Sequence, residues 1–441
     1  MHTKFIPRLK METVLKVTII VYVALFFDFF LVASFDNLGP RLASSHGISL
    51  EKLSVIQSVK SFVNMAMGPV FALSSSKLPT TLLFTVGSFG IVAAYTGIAF
   101  AVSEAGFYTA RVLHGIGTSG LMIGGMSVLM RCVPKKKRGK YTSIAFSSVG
   151  HSTLVAPILS GVMYDKLGQT WTFLIPAITA LTCACVSYIL LMRAVATPSY
   201  DSTDSGIQSI RKSDMWPCVV QIFTNPMTFL VLVGIFSDGF SFGSCESTLP
   251  AILTEWDGHS LDVVTASLIY SVGPLVFTIC APIAGWFVDR VGHYKVMIFG
   301  LCMFVIFFPL FQLFDDTLVG LGACFAIAFG IVAIVEVSVY PCIAAIVEST
   351  NIANAEAIGF ALGDMCIQAG FAIGNLAGRR LYDWGGMLAM GVFIAGWDGL
   401  VILISLLIMW FYPRKKLADK ECKVEDTPDT LHDTSITVNQ P

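Results

Sequence analysis

Long apolar runs recur from one end of this chain to the other, separated by short polar breaks. Twelve can be read, at 14–35, 52–74, 80–102, 106–131, 141–163, 172–194, 226–249, 263–287, 295–313, 317–346, 354–378 and 386–411. A hydrocarbon core of about 30 Å is crossed by about 20 apolar helical residues, so each run predicts one transmembrane helix. The expected fold class is all-α and integral to the membrane. The widest polar break, ATPSYDSTDSGIQSIRKSD, lies between the sixth and seventh runs and divides the chain into two six-helix halves. The expected organisation is an N-terminal segment 1–13, a first half 14–194, a central loop 195–225, a second half 226–411 and a polar tail 412–441 that composition predicts to be disordered.

Composition agrees with a membrane protein. Of 441 residues, 55% are hydrophobic and 13% charged, and the mean hydropathy is +0.75, values outside those of soluble globular domains. A net charge of −1 gives no basic surface for a nucleic-acid partner. The basic residues are instead distributed by topology. Lys4, Arg8, Lys10 and Lys16 precede the first run, Lys135 to Arg138 and Lys140 separate the fourth and fifth, Arg211 and Lys212 lie in the central loop, and Arg414 to Lys416 follow the last. By the positive-inside rule both termini are expected to be cytoplasmic, with Arg379 and Arg380 as a local exception.

The eleven cysteines lack metal-ligand spacing and read as small packing residues. The first run is too long for a cleavable leader and carries Asp28, so it is expected to be retained. No metal, cofactor or catalytic constellation can be drawn, and the chain has no Walker phosphate-binding loop.

Six ionisable residues interrupt the runs: Asp28, Lys60, Arg111, Glu246, Glu336 and Asp364. A charge at a membrane-helix centre costs about 2.5–3.5 kcal/mol on insertion scales and persists chiefly where it faces protein or a water-filled cavity. A set of both signs suits proton coupling, since buried carboxyls can load and release protons near neutrality. It also suits recognition of a cationic amine, whose ammonium needs a counter-charge and favours aromatic walls. Asp36, Asp238 and His114 carry weaker signals: Asp36 is expected at the outer interface, and His114 is expected only to hydrogen-bond a carbonyl.

The halves show traces of duplication. GPVFALSSSKLP at 68–79 aligns with APIAGWFVDRVG at 281–292, and the first copy carries Ser76 where the second carries Asp289. The second copy, continuing into His293 and Lys295, resembles the G-x-x-x-D-R-x-G-R/H-x-K gating loop of the major facilitator superfamily, with Gly285, Asp289, Arg290 and Gly292 in its key positions. Gly285 is expected to let helices approach, and Asp289 to cap or ion-pair at a helix end.

Read together, the runs resemble the vesicular amine transporters, the family of vesicular monoamine and acetylcholine carriers. The resemblance spans residues 14 to 412. It rests on Asp28 with Pro40, Lys60 nine residues before Pro69, ARVLHGIG around Arg111, LVAPILSGVMYDKLG in run five, SCESTLP around Glu246, VEVSVYP with Glu336 where the family has aspartate, and LGDMCIQAGFAIGN around Asp364. Departures are the short loop at 40–51 without a glycosylation sequon, Phe29 after Asp28, serines at positions 147, 148 and 152 where glycines are usual, and a tail without a dileucine signal.

The resemblance implies exchange of lumenal protons for a cytosolic amine, with Lys60 and Asp364 as a candidate ion pair and Tyr270, Phe277 and Phe371 as aromatic wall. It implies a monomer in a synaptic or secretory vesicle membrane, with a small cationic amine, protons and the lipid bilayer as partners. Two alternatives stay open from the residues: a broad-range exporter of organic cations, and a non-transporting membrane sensor or scaffold.

Overall fold

A computed structural model describes residues 5–74, 78–133, 138–196, 220, 226–254, 261–313, 317–349 and 356–411. The central loop, the tail and the basic run 134–137 lie outside the described residues, as do the side chains of Lys77 and Asp289. Among the described residues the secondary structure is helical: α1 (Phe5–Ser45), α2 (Leu50–Ser74), α3 (Thr80–Ala99) and α4 (Glu104–Cys132) come first. A helix over Arg138–Ala196 follows, then α7 (Pro226–Thr254), α8 (Val263–Val291), α9 (His293–Phe307) with a 3-10 turn (Phe308–Leu313), α10 (Leu318–Ser349) and a helix over Glu356–Phe411.

The two long helices have 59 and 56 residues. Straight, each would measure about 85 Å at 1.5 Å per residue, nearly three times a bilayer core of about 30 Å. Both are broken by glycines in the left-handed region, Gly168 at φ 72° and Gly386 at φ 65°, a backbone that a side chain would strain. The breaks give α5 (138–167), α6 (169–196), α11 (356–384) and α12 (387–411), and so twelve helical segments among the described residues. By length and composition alone, nine described helices could cross a membrane. The two long ones each hold apolar residues for two crossings, and α2 falls short because it carries Gln57, Lys60, Asn64 and several serines, all buried.

Large apolar side chains face outward, as on Ile19, Ile178, Phe299 and Leu403, each about half exposed. In lipid this is the favourable side for them, so the inside is chosen by packing and by the need to shelter polar groups. Helices α3 and α4 meet through glycine: a Cβ on Gly90 would lie 2.8 Å from the Gly117 Cα. The buried apolar residues form two large cores, one drawn from Val14 to Leu191 and the other from Met227 to Val401. The chain is thus two helical bodies with a polar seam between them.

At the end of the bundle where α1 leads into α2 and α7 into α8, the bodies are joined. Asn37 Nδ2 donates to Ser267 Oγ at 2.8 Å, the Arg41 guanidinium donates to the Leu261 carbonyl, and Ser58 donates to the Ala372 carbonyl at 2.9 Å. The exposed Arg380–Glu51 pair, 3.2 Å apart, adds little, since such pairs contribute about 0–1 kcal/mol.

Candidate functional site

Between the two bodies lies a cavity lined by residues from both. The first body contributes Asp36, Lys60 and Arg111, and the second contributes Asp238, Glu246, Glu336 and Asp364, with Phe242, Phe277, Phe329 and Phe371 supplying ring surface. Five of the six charged residues read from the sequence therefore converge on one space. Asp28 does not line it. It is wholly buried behind the wall on α1, so it is not placed to touch a ligand in the cavity directly.

What Asp28 does is legible from its partners. Arg111 Nη1 lies 3.3 Å from His114 Nδ1, and His114 Nε2 lies 3.0 Å from Asp28 Oδ1. A guanidinium can only donate, so His114 Nδ1 must accept and Nε2–H must donate to the carboxylate. The imidazole is thereby fixed as its neutral Nε2–H tautomer. Thr118 donates to the same oxygen at 2.7 Å, while Asp28 Oδ2 is buried without a partner. The expectation that His114 merely meets a carbonyl is corrected: it links α4 to α1 through two charged groups.

Arg111 is 2% exposed, so it does not snorkel to an interface. Its Nη2 donates to the Gln57 carbonyl at 3.2 Å and lies 3.9 Å from Asp36 Oδ1, and its carbon stands 4.6 Å above the Phe35 ring. Asp36 also accepts from Gln57 Nε2 at 3.1 Å and is 3% exposed. The sequence reading set it at the outer interface; helix α1 continues to Ser45 and carries Asp36 inside the protein.

Lys60 and Asp364 both line the cavity, but no ion pair within 4 Å joins them. The strongest attraction on the Lys60 ammonium comes from Asp28, with Asp364 and Glu246 following. Asp364 sits within hydrogen-bonding range of Gln368, and its Oδ2 is buried without a partner. The candidate pair is corrected to two opposed charges facing one space.

Tyr270 is buried beside the cavity rather than in its lining, with its hydroxyl 3.5 Å from Glu246 Oε1. Phe277 and Phe371 do line it. Between α8 and α9, Gly292 takes φ 97°, which explains the glycine, and Arg290 stacks on Trp286 at 4.0 Å. Gly285 is not needed for close approach, since a Cβ there would meet Val337 at an ordinary 3.7 Å.

Asp398 went unremarked in the sequence although it interrupts an apolar run as plainly as Asp28 does. It is fully buried on α12, where the Ser237 hydroxyl donates to it. The adjacent Asp238 faces the cavity, within electrostatic range of Glu336 and Asp398. The same signal, an acid inside an apolar run, marked Asp238 in the sequence and would have found Asp398 too.

Comparison with known proteins returns the same overall fold. A crystal structure of a POT family transporter in complex with a thioalcohol-conjugated peptide superposes with a TM-score of 0.67 at 14% identity, covering 89% of this chain and 96% of the other. A peptide transporter POT in complex with sulfate gives 0.66 at 16% identity, covering 89% and 94%. Among curated sequences, the chromaffin granule amine transporter of Rattus norvegicus is 23% identical over 82% of this chain and 64% of its own length. The vesicular acetylcholine transporter of Mus musculus is 20% identical over 87% of this chain and 70% of its own. The chain thus spans slightly under two thirds of the first of these relatives. The Major Facilitator Superfamily profile matches residues 19–350 and 231–430, nearly the whole described chain. Fold and profile agree, and the protein belongs to the Major Facilitator Superfamily, as a multi-pass membrane protein.

Proposed function

We propose that this transporter exchanges protons for a cationic amine by alternating access. The observation that carries the reading is the imbalance of charge in the cavity. Among the described lining residues, Asp36, Asp238, Glu246, Glu336 and Asp364 face only Lys60 and Arg111 as cations. A space with excess carboxyls and phenylalanine faces favours an organic cation, whose ammonium is drawn both to the acids and to the negative faces of the rings. The same acids can hold protons when the amine is absent, so one set of groups serves two cargoes in turn. The relatives named above are amine and acetylcholine transporters, which supports a vesicular membrane as location. The reading carries with it cytoplasmic termini, a cytoplasmic central connection over 195–225, and a monomer as the working unit.

Protein reconstituted in liposomes with an acidic interior should accumulate a labelled amine, and a protonophore should abolish the accumulation. No accumulation of any amine in a panel running from monoamines to choline esters would overturn the reading. Equal uptake of bulky lipophilic cations would shift it to a broad-range exporter.

A further inference from the structure

Asp36 on α1 and Glu246 on α7 belong to different bodies, yet their carboxyl groups are in hydrogen-bonding contact. Both are at least 96% buried. An ionised carboxylate only accepts hydrogen bonds, so a bond between two carboxyls needs one proton between them. The surroundings supply the rest of the balance. Arg111 Nη2 stands 3.9 Å from Asp36, Gln57 Nε2 donates to Asp36 at 3.1 Å, and the Tyr270 hydroxyl is 3.5 Å from Glu246. Two further buried polar atoms at this place, Arg111 Nε and Gln57 Oε1, have no partner.

We propose that Asp36 and Glu246 form a proton-binding site that latches the two bodies together at the end where α1 leads into α2. This deepens the proton-exchange reading above and rests on it. One guanidinium neutralises one carboxylate, and the shared proton neutralises the other. When the proton leaves, two carboxylates in contact share Arg111, and like charges that close cannot both be held at a buried site. The other titratable and charged groups in range are Lys60 on α2, Asp28 behind Arg111, Tyr270 on α8 and Cys245 beside Glu246. Lys60 is drawn most strongly to Asp28, which leaves it a secondary counter-charge for the pair. Both latch residues line the cavity, so the proton reaches them by the path the substrate uses. The Asn37–Ser267 and Arg41–Leu261 bonds lie beyond Asp36 on α1 and tie it to α8 and the residues before it, so opening this end must break them as well.

The direction of coupling follows. Proton loss to the cavity frees this end to open, and proton binding closes it. A carrier so built returns protonated and moves forward deprotonated, as antiport requires.

Amide hydrogen exchange on the whole purified protein tests the site without any transport assay. Peptides covering 36–45 and 261–271 are followed across neutrality, with rates corrected for the intrinsic pH dependence of exchange. In the wild type, protection of both should rise about tenfold toward acid, the factor carried by one pK unit of differential proton affinity. In Glu246→Gln, and independently in Asp36→Asn, an amide replaces the shared proton as donor, so protection should stay high at every pH. A flat wild-type profile overturns the latch, as does a wild-type slope retained in both variants. If the latch titrates as expected but liposomes accumulate no amine, the latch stands and the amine reading fails. If amines accumulate while protection is insensitive to pH, the exchanged proton is held elsewhere and the latch fails.

Discussion

Asp28 stands close to the charged cavity without lining it. Its carboxylate takes hydrogen bonds from His114 and Thr118 and supplies the strongest attraction on Lys60. Asp28→Asn keeps an acceptor for both hydrogen bonds but removes that attraction, leaving a buried ammonium short of counter-charge. We expect uptake to be lost and the melting temperature to fall, and Asp28→Asn with Lys60→Met to recover the melting temperature but not uptake. Normal uptake by the single variant would refute this. Glu336 is half-buried in the cavity wall, within electrostatic range of Asp238. If it carries a proton, Glu336→Gln should abolish proton-driven accumulation while equilibrium amine binding falls less, and Glu336→Asp should keep part of both. Equal accumulation by Gln and Asp variants would make it structural. Asp28, Lys60, Glu336 and Asp364 were legible in the sequence because a charge stands out against an apolar background. The Arg111–His114–Asp28 chain was not, since it depends on how α4 is rotated toward α1, which no spacing within one helix records.

Helix existence was the most legible property, because a bilayer demands it of every apolar run. Helix ends were less so. The sequence placed breaks after residues 163 and 378, whereas the chain stays helical until Gly168 and Gly385, since helical geometry outlasts apolar content wherever the backbone can still pair with itself. The start of α8 follows local chemistry instead. Asp262 caps it, accepting from the Thr265 backbone N–H at 3.0 Å and from the Thr265 hydroxyl at 3.1 Å. The backbone bond foremost, with the hydroxyl after it, holds the Asp262 carboxyl below the usual carboxylate range. A group depressed on folding contributes stability above its unfolded value of about 3.9 and loses it as pH falls through the folded one. Asp262→Ala should therefore speed amide exchange in residues 263–266 at neutral pH. The difference from wild type should vanish once acid has protonated the cap, and a difference that persists in acid would show that the carboxylate is not what holds the turn.

The polar break near residue 200 falls between the two buried cores, and the aligned segments 68–79 and 281–292 fall at the ends of α2 and α8. How the bodies meet was not readable, since contacts such as Asn37 to Ser267 join residues 230 positions apart. The consequence is sharpest for Lys60 and Asp364, one on each body. The family resemblance pairs them, and a direct pair would predict that exchanging the charges restores function. The structure instead sets them across the cavity without an ion pair, with Asp28 as the larger attraction on Lys60. Lys60→Asp combined with Asp364→Lys would then set a new carboxylate within the field of Asp28, on the same body, with no cation added beside it. Removing one partner of a buried charge arrangement costs about 3–5 kcal/mol, and the exchange adds repulsion to that loss. Amine uptake by the double variant, at matched amounts of folded protein, should be no better than by Lys60→Ala or Asp364→Asn alone. Clear recovery in the double variant would show that the two side chains meet directly during the cycle, in a state more closed across the cavity than this one.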